Sequence, residues 1–391
     1  MNVWLLTNTP SPYQVELLSA IERDNRCRLD VRFMRQVHRG ATWQPGPTPP
    51  FAFRVLGGIG PSWWSDAFRL HPRALAECLF GRQDLFVLSG QYTSFTFAAC
   101  ALALTMRRKP WAMWLEQPWP EDYRPAWTRS VSARSGIVRT IRERFLASLL
   151  RHTRRVFCIG TAAVEAYRRQ GADPAKLACM PYCCDTSRYA QADEAAVRSV
   201  RARYALDGKT VFLFSGQLIE RKGVDVLLRA FAELTASRSD MALLLLGDGP
   251  LRQSLEASVP TFCRHLVHFA GHVEQADLPA HFHAADVFVL PSRHDGWGVV
   301  VNEACAAGLP VIVTAAAGAS RDLVADGRNG FIVPRDDVAA LRGRMLHFLE
   351  KPADIRQYGG QSKQIVAALS LENAARTFCE NARLASGESS T

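Results

Sequence analysis

Residues Asp286–Thr314 read "DVFVLPSRHDGWGVVVNEACAAGLPVIVT", and this stretch decides the fold class. It begins with an apolar run that ends at Leu290 and finishes with a second apolar run, Pro310–Thr314. A glycine-rich loop and a helical pattern lie between the two runs. Two uninterrupted apolar strands joined by a helix predict parallel strands in a sheet that is covered on both faces.

Short apolar runs of the same kind recur along the whole chain and alternate with helical patterns. They predict strands at Val3–Leu6, Leu29–Phe33, Leu85–Leu88, Trp111–Leu115, Arg155–Ile159, Val211–Phe214, Ala242–Leu246, Leu266–Phe269, Asp286–Leu290 and Pro310–Thr314. Strand–helix alternation in both halves of 391 residues predicts two Rossmann-like, doubly wound α/β domains. We expect an N-terminal domain over 1–185, a linker over 186–208, a second domain over 209–370, and a C-terminal helix or tail over 371–391 that packs on the first domain.

The net charge of +10 is concentrated in the first half of the chain. Residues 1–200 hold 27 basic and 16 acidic side chains, and Arg124–Arg155 holds nine arginines and one acid, Glu143. Within it, the pattern of Ile137, Ile141, Phe145 and Leu149, widened by Val138, Leu146 and Leu150, predicts an amphipathic helix. This helix either packs on its own domain or touches an anionic membrane surface. Nucleic acid fits less well, because no nucleic-acid-binding motif accompanies the charge.

The N-terminus lacks the basic start and long apolar core of a signal peptide. The uncharged stretch Leu85–Met106 is long enough to span a bilayer, but "SGQYTS" interrupts it, so we predict a strand, a polar loop and a helix. The expected location is the cytoplasm, including a peripheral position at the inner face of the plasma membrane.

Three loops that follow predicted strands of the second half are rich in glycine. They are "SGQLIERKG" after Phe214, "GDGP" after Leu246 and "PSRHDGWG" after Leu290. A strand–loop–helix unit points free backbone N–H groups at an anion, and glycine lets that backbone approach closely. Together with the positive charges of Arg221 and Lys222, these loops predict a diphosphate site.

Two carboxylates flank the last of these loops. Glu303, about one and a half turns into the predicted helix, can accept hydrogen bonds from a diol such as a ribose, and Asp295 can accept them from sugar hydroxyls. The alternative is a helix N-cap for Asp295 and a solvated helix face for Glu303.

From Val211 to Thr314, with "DGRNGFIV" beyond it, the second half resembles the nucleotide-sugar domain of family-4 retaining glycosyltransferases (group 1). "FSGQLIERKGVDVLLRAF", "LLLLGDGP" and the opening stretch carry the resemblance. It implies the GT-B fold, in which two Rossmann-like domains face each other across a cleft. It also implies a hexosyltransferase that moves a sugar from a UDP- or GDP-type donor with retained anomeric configuration. No metal or other cofactor is expected.

The resemblance assigns roles by position. Donor-binding residues would be Gly216, Gln217, Arg221, Lys222, Gly247, Asp295, Gly296, Trp297, Gly298 and Glu303, with Glu303 on the ribose. Catalytic residues would be Asp295, Lys222 and Glu116, the last standing where many members have a histidine; its alternative is an ordinary acid at the cleft edge. Asp295 replaces the first glutamate of the E-x7-E motif, and Gln217 replaces the usual phosphate arginine.

The first domain is expected to bind the acceptor, a glycan or a lipid-linked sugar of a bacterial surface polysaccharide or glycolipid. Its candidate contacts are Ser11, Tyr13, Gln91 and Tyr92, in loops that follow predicted strands and could also be simple turns. Two rival functions remain. One is a GT-B epimerase or hydrolase of nucleotide sugars, and the other is a non-catalytic binding protein, which Gln217 and Asp295 suggest.

Overall fold

The computed structural model describes residues 1–36, 48–60, 68–119, 135–191 and 193–387. These residues form two compact units. The first comprises the described residues between 1 and 118, between 135 and 183, and between 371 and 387; the second comprises residue 119 and the described residues between 184 and 370. The basic segment Arg124–Arg134 lies outside the described residues.

The first unit is built on a parallel sheet whose strand order is β3-β2-β1-β4-β5-β6-β7. Its inner strands carry few polar groups and are buried on both faces, as the uninterrupted apolar runs predict. The strands are β1 Asn2–Thr7, β2 Arg28–Phe33, β3 Ala52–Val55, β4 Leu85–Ser89, β5 Trp111–Leu115, β6 Arg155–Cys158 and β7 Leu177–Cys179.

Helices cover both faces of this sheet. They are α1 Pro12–Arg23, α2 Pro72–Phe80, α3 Phe95–Met106, α4 Ser135–His152, α5 Gly160–Arg169 and, from the end of the chain, α15 Leu371–Ser386. The ring of Phe378 on α15 lies 5.5 Å from that of Trp114 and 4.9 Å from that of Phe157. The C-terminal helix is therefore part of the first unit's core.

The second unit has a parallel sheet with the strand order β10-β9-β8-β11-β12-β13. Its strands are β8 Thr210–Ser215, β9 Met241–Leu246, β10 Val267–Gly271, β11 Val287–Leu290, β12 Val311–Thr314 and β13 Gly330–Val333. Its helices are α6 Ser187–Ala190, α7 Glu194–Arg203, α8 Val224–Thr235, α9 Arg252–Ser258, α10 Leu278–His283, α11 Val300–Ala307, α12 Ser320–Leu323, α13 Val338–Glu350 and α14 Pro352–Ala367.

The prediction of two doubly wound parallel sheets is confirmed, and each predicted apolar run is a strand. The sequence reading missed β3, β7 and β13, which all lie at sheet edges. These strands have three or four residues, and β3 is exposed along its whole length, so no long apolar run marks them. The helices α6 and α7, which lie within the predicted linker, belong to the second unit.

Each sheet has one point where the strand order reverses, between β1 and β4 in the first and between β8 and β11 in the second. Ligands of doubly wound sheets bind outside the carboxyl ends of the strands at such points. The predicted acceptor residues follow β1 and β4, and the predicted donor residues follow β8, β9 and β11.

The stretch Leu85–Met106 contains the strand β4 and the helix α3, as predicted. Within the described parts of the chain, no helix combines the length and the apolar character that crossing a membrane requires.

Candidate active site

The loops after β8 and β11 are hydrogen-bonded to each other at the reversal point of the second sheet. The backbone N–H of Arg293 donates to the carbonyl oxygen of Arg221 at 2.7 Å. Gly223, which opens α8 with φ of +66°, packs so closely that a Cβ there would overlap the carbonyl oxygen of Pro291. Only glycine fits this contact, which fixes the two loops in one relative position.

The loops after β8 and β9 are interlocked in the same way. A Cβ on Gly247, whose φ is +123°, would overlap the carbonyl oxygen of Gly216. The backbone N–H of Leu218 donates to the carbonyl oxygen of Asp248 at 2.9 Å. These glycines are therefore needed for the packing of the loops, in addition to letting a phosphate approach the backbone. Gln217, between Gly216 and Leu218, is half-buried.

A further loop, after β12, holds the turn that contains Asp295. The N–H of Asp295 donates to the carbonyl oxygen of Ala316 at 3.1 Å. The N–H of Gly318 donates to the carbonyl oxygen of Asp295 at 3.0 Å. A Cβ on Gly318 would overlap the carbonyl oxygen of Gly296. This loop was not predicted, and its only signal in the sequence is the run of small residues "AAAGAS".

Asp295, Lys222 and Arg221 form a charge cluster where these loops meet. The Asp295 carboxylate contacts Lys222 Nζ through Oδ2, and its Oδ1 lies 3.4 Å from Arg221 Nη1. Asp295 and Lys222 are each 8% exposed. Burial by itself would raise the pKa of Asp295, but the positive charges of Lys222 and Arg221 overcome it and lower the pKa to about 2. Asp295 is therefore an ionised partner of the loop cations.

Asp295 does not cap the helix that follows. The N-cap position of α11 is Val299, four residues later, and the carboxylate of Asp295 turns instead to Lys222 and Arg221. The N-cap alternative is thus wrong for this residue.

His294, which the sequence reading did not select, is buried beside this cluster. Its ring lies 4.3 Å from the ring of Trp119, and its Nδ1 has no hydrogen-bond partner among the described residues. Burial lowers the pKa of His294 to about 4, so the imidazole is neutral at physiological pH.

Arg293 is a second residue that the sequence reading missed, and it ties the cluster to the helix α8. Its Nη2 donates to Asp225 Oδ2 at 2.7 Å, and its Nε donates to Asp336 Oδ1 at 2.6 Å. Asp225 is in the first turn of α8, so Arg293 fixes that helix end relative to the Asp295 turn. Its only signal was its place in "SRHDG", beside the acid.

Trp297 and Glu303 occupy different environments in the same segment. Trp297 is 2% exposed, and its indole Nε1–H donates to Asn302 Oδ1 at 2.9 Å, so it packs beneath the turn. Gly298 next to it has φ of +93°. Glu303 is half-buried in the first turn of α11, closer to the helix start than predicted, because the helix begins only at Val300.

Tyr189 of α6 is packed against the helix that carries Glu303. It is 1% exposed, and burial, followed by the negative charge of Glu303, raises the pKa of its phenol. The Glu303 carboxylate thus has a phenol close to it, supplied by a segment that we had predicted as a linker.

The first unit carries the remaining candidates. Ser11 and Tyr13 follow β1, where the ring of Tyr13 lies 5.3 Å from that of Tyr182. Gln91 is exposed and Tyr92 half-buried after β4. A Cβ on Gly90 would lie 2.8 Å from Asn8 Oδ1, so the two loops approach each other.

Glu116 directly follows β5 and is exposed. Its backbone carbonyl accepts a 2.8 Å hydrogen bond from the hydroxyl of Tyr167. It belongs to the first unit, whereas Asp295 and Lys222 belong to the second. Among the described residues, no group of three or more histidine, cysteine, aspartate or glutamate side chains is arranged to hold a metal ion. Metal independence stays a prediction.

Comparison with known proteins adds to this geometry. Residues 198–365 match the family model of the glycosyl transferases group 1. A GDP-mannose-dependent alpha-(1-6)-phosphatidylinositol monomannoside mannosyltransferase of Mycolicibacterium smegmatis is 36% identical over 187 residues, 46% of this chain and 48% of that protein. D-inositol 3-phosphate glycosyltransferase 2 of Catenulispora acidiphila is 32% identical over 210 residues, 50% of this chain and 48% of that protein. The matched region spans about half the length of these relatives.

Among solved structures, Anabaena HepE in complex with UDP is similar over 97% of this chain and 99% of its own, with a TM-score of 0.76 and 19% identity. This likeness concerns the fold. The chain is thus a protein of the GT-B fold whose residues 198–365 match the glycosyl transferases group 1 family.

Proposed function

We propose that the chain is a retaining glycosyltransferase. It takes a sugar from a nucleoside diphosphate sugar of the UDP or GDP type and transfers it to a hydroxyl of a glycan or lipid-linked acceptor. The observation that carries this proposal is the charge cluster of Arg221, Lys222 and Asp295, held by interlocked glycine loops at the reversal point of the second sheet.

The donor's diphosphate suits these loops because it needs positive charge and free N–H groups in fixed positions. Glu303 accepts hydrogen bonds from the ribose hydroxyls, with Tyr189 beside it. The Mycolicibacterium relative is named as GDP-mannose-dependent, and Anabaena HepE was solved with UDP. Both facts support a nucleotide-sugar donor and leave the base open.

In the proposed reaction the acceptor oxygen forms a bond to the anomeric carbon on the face from which the diphosphate departs. The bond between that carbon and the phosphate oxygen breaks, and the leaving phosphate takes the acceptor proton. Lys222 and Arg221 stabilise the negative charge that develops on the diphosphate. No metal ion or other cofactor takes part.

Asp295 has two tasks in this proposal. Before the donor arrives, its carboxylate holds Lys222 in place and neutralises part of the cluster's charge. With the donor bound, Lys222 turns to the phosphate and Asp295 accepts a hydrogen bond from a sugar hydroxyl. Glu116 is the third catalytic candidate, and the loops with Ser11, Tyr13, Gln91 and Tyr92 bind the acceptor. The reaction takes place at the cytoplasmic face of the plasma membrane, in the assembly of a bacterial surface polysaccharide or glycolipid.

The test is turnover of a panel of UDP- and GDP-sugars with simple glycosides and lipid-linked sugars as acceptors. We expect nucleoside diphosphate release that depends on the acceptor, and a product with the anomeric configuration of the donor by NMR. Donor conversion without an acceptor would favour a hydrolase or epimerase. Donor binding with no turnover of any pair would favour a non-catalytic binding protein, and a product of inverted configuration would overturn the retaining mechanism.

A further inference from the structure

The helix α3 exposes an unusual apolar face. Phe95 is 52% exposed, Leu102 is 61% exposed and Met106 is 73% exposed. Seven and four residues separate them, so they lie along one side of the helix. The ring of Phe68, itself partly exposed, packs edge-on against Phe95 with centroids 5.3 Å apart and extends the apolar strip.

The opposite side of α3 accounts for the helix's place in the fold. Phe97, Cys100 and Leu104 are buried in the core of the first unit. The apolar strip on the outer side is therefore not needed to anchor the helix. Contiguous exposed apolar side chains on a folded protein mark a surface that a membrane or a binding partner covers.

Basic side chains lie at the end of this strip and on the outer side of the helix α4. Arg107 and Arg108 directly follow Met106 at the end of α3, and both are exposed. On α4, Arg144 and Arg151 are exposed as well, and their seven-residue spacing puts them on one side of the helix. Ile141, three residues before Arg144, is 62% exposed.

The helices α3 and α4 cover the same face of the first sheet. Phe97 and Leu104 of α3 and Leu146 and Leu149 of α4 share one hydrophobic core with side chains of β4, β5 and β6. The outer sides of both helices therefore point away from the same sheet face. Leu146, Leu149 and Leu150 of the apolar stripe predicted on α4 are buried in this core, so α3 supplies most of the exposed apolar surface.

We propose that this surface, the α3–α4 face formed by Phe95, Leu102, Met106, Arg107, Arg144 and Arg151, docks the protein on an anionic lipid bilayer. The apolar side chains enter the boundary between headgroups and acyl chains, and the arginines bind lipid phosphates. A nucleic acid would match the arginines but would leave the apolar strip in water. The lipid surface matches both.

The proposal extends the proposed function to its acceptor. Gln91 and Tyr92 lie in the loop that leads directly into α3. Docking through α3 holds this loop near the headgroups, where a lipid-linked sugar presents its hydroxyls. This last point rests on the proposed function, whereas the docking itself does not.

The experiment measures sedimentation of the full chain with vesicles of phosphatidylcholine alone or mixed equally with phosphatidylglycerol, at low and high salt and without donor. We expect binding to the mixed vesicles only. Replacing Arg144 and Arg151 by glutamine (R144Q/R151Q) should weaken binding about 25-fold at low salt, since each arginine contributes about fivefold. The pair Leu102→Ser and Met106→Ser should weaken it about tenfold at either salt concentration.

Matched controls come from exposed residues of the second unit. Phe262, 59% exposed, is replaced by serine, and Arg198 and Arg203 of α7 are replaced by glutamine. These variants should bind vesicles like the wild type. Equal binding to neutral vesicles, or unchanged binding of both α3–α4 variants, would overturn the proposal. So would self-association that the Leu102 and Met106 changes abolish while no vesicle is bound. Stabilisation by nucleotide, read on the same preparations, tests the proposed function separately.

Discussion

The loops at the two reversal points of this molecule are built differently. In the second unit, Gly247 packs on the backbone of Gly216, and Gly223 packs on that of Pro291, so that backbone meets backbone. In the first unit, Gly90 instead faces the side chain of Asn8. One set of loops is fixed by contacts that tolerate only glycine, and the other rests on a side chain that can move.

This difference corresponds to what each set of loops is proposed to bind. A diphosphate is the same in every nucleotide sugar, so its site gains from backbone groups held in one arrangement. Acceptors vary, and loops that are not interlocked can change with them. The comparison predicts that substitutions in the second unit have the larger effects.

The largest effect is expected from Lys222→Met. The change removes the cation next to the diphosphate, and we expect kcat/KM to fall about 1,000-fold. Because it also removes one of the two cations that contact Asp295 among the described residues, the variant should be less stable. The double variant Lys222→Met/Asp295→Asn should regain stability in urea unfolding but no activity. Recovery of activity with stability would show that the pair is only structural.

Gly247→Ala and Gly90→Ala compare the two loop types directly. Both glycines have positive φ, +123° and +112°, so the backbone strain is similar. The added Cβ overlaps a backbone oxygen at Gly247 but meets a movable side chain at Gly90. We expect losses of about 4 and about 2 kcal/mol in the free energy of unfolding. Gly343→Ala, in α13 with open space around it, serves as the control. Equal losses at the first two positions would contradict the comparison.

A smaller effect is expected for His294, through pH. Its pKa of about 4 lies below its ordinary value of 6.5, so the unfolded chain binds this proton more readily than the folded one. The free energy of unfolding is therefore not lowered by His294 above pH 6.5. As pH falls towards 4 it decreases by about 2–3 kcal/mol, because the unfolded chain takes up the proton first. The difference in unfolding free energy between wild type and His294→Gln, measured across this window, should change by that amount. A constant difference would show that His294 titrates normally.

The sequence could reveal the fold because most strands are buried on both faces and read as continuous apolar runs. It missed β3, β7 and β13, because a short edge strand such as Ala52–Val55 carries no such signal. The start of α11 was placed too early, since the glycines of the turn precede the helix instead of opening it.

Part of the candidate site could also be predicted, because glycine loops and charged residues near strand ends are local patterns in the sequence. The partnership of Asp295 with Lys222, the clamp of Arg293 on Asp225 and the burial of His294 join residues that are far apart in sequence or depend on packing. A single sequence does not record which of its residues come into contact after folding.

The smallest effect is expected in the first unit. Gln91 is exposed in the loop after β4, and Gln91→Ala should raise the KM for the acceptor about fivefold, the value of one hydrogen bond. The KM for the donor should not change. An exposed glutamine elsewhere in this unit, Gln170→Ala, controls for general effects. A change in donor KM instead would break the assignment of donor and acceptor to different units.

The central claim is that the second unit binds a nucleoside diphosphate through its interlocked loops and the ribose through Glu303. Its most direct test is the unfolding midpoint of wild type and Glu303→Ala with UDP, GDP and their sugar conjugates. We predict that at least one ligand raises the wild-type midpoint by about 5 °C at a concentration about 100-fold above its Kd, and that the variant loses this rise. Stabilisation of the variant equal to that of the wild type would contradict the role of Glu303, and no stabilisation by any of these ligands would contradict the donor site itself.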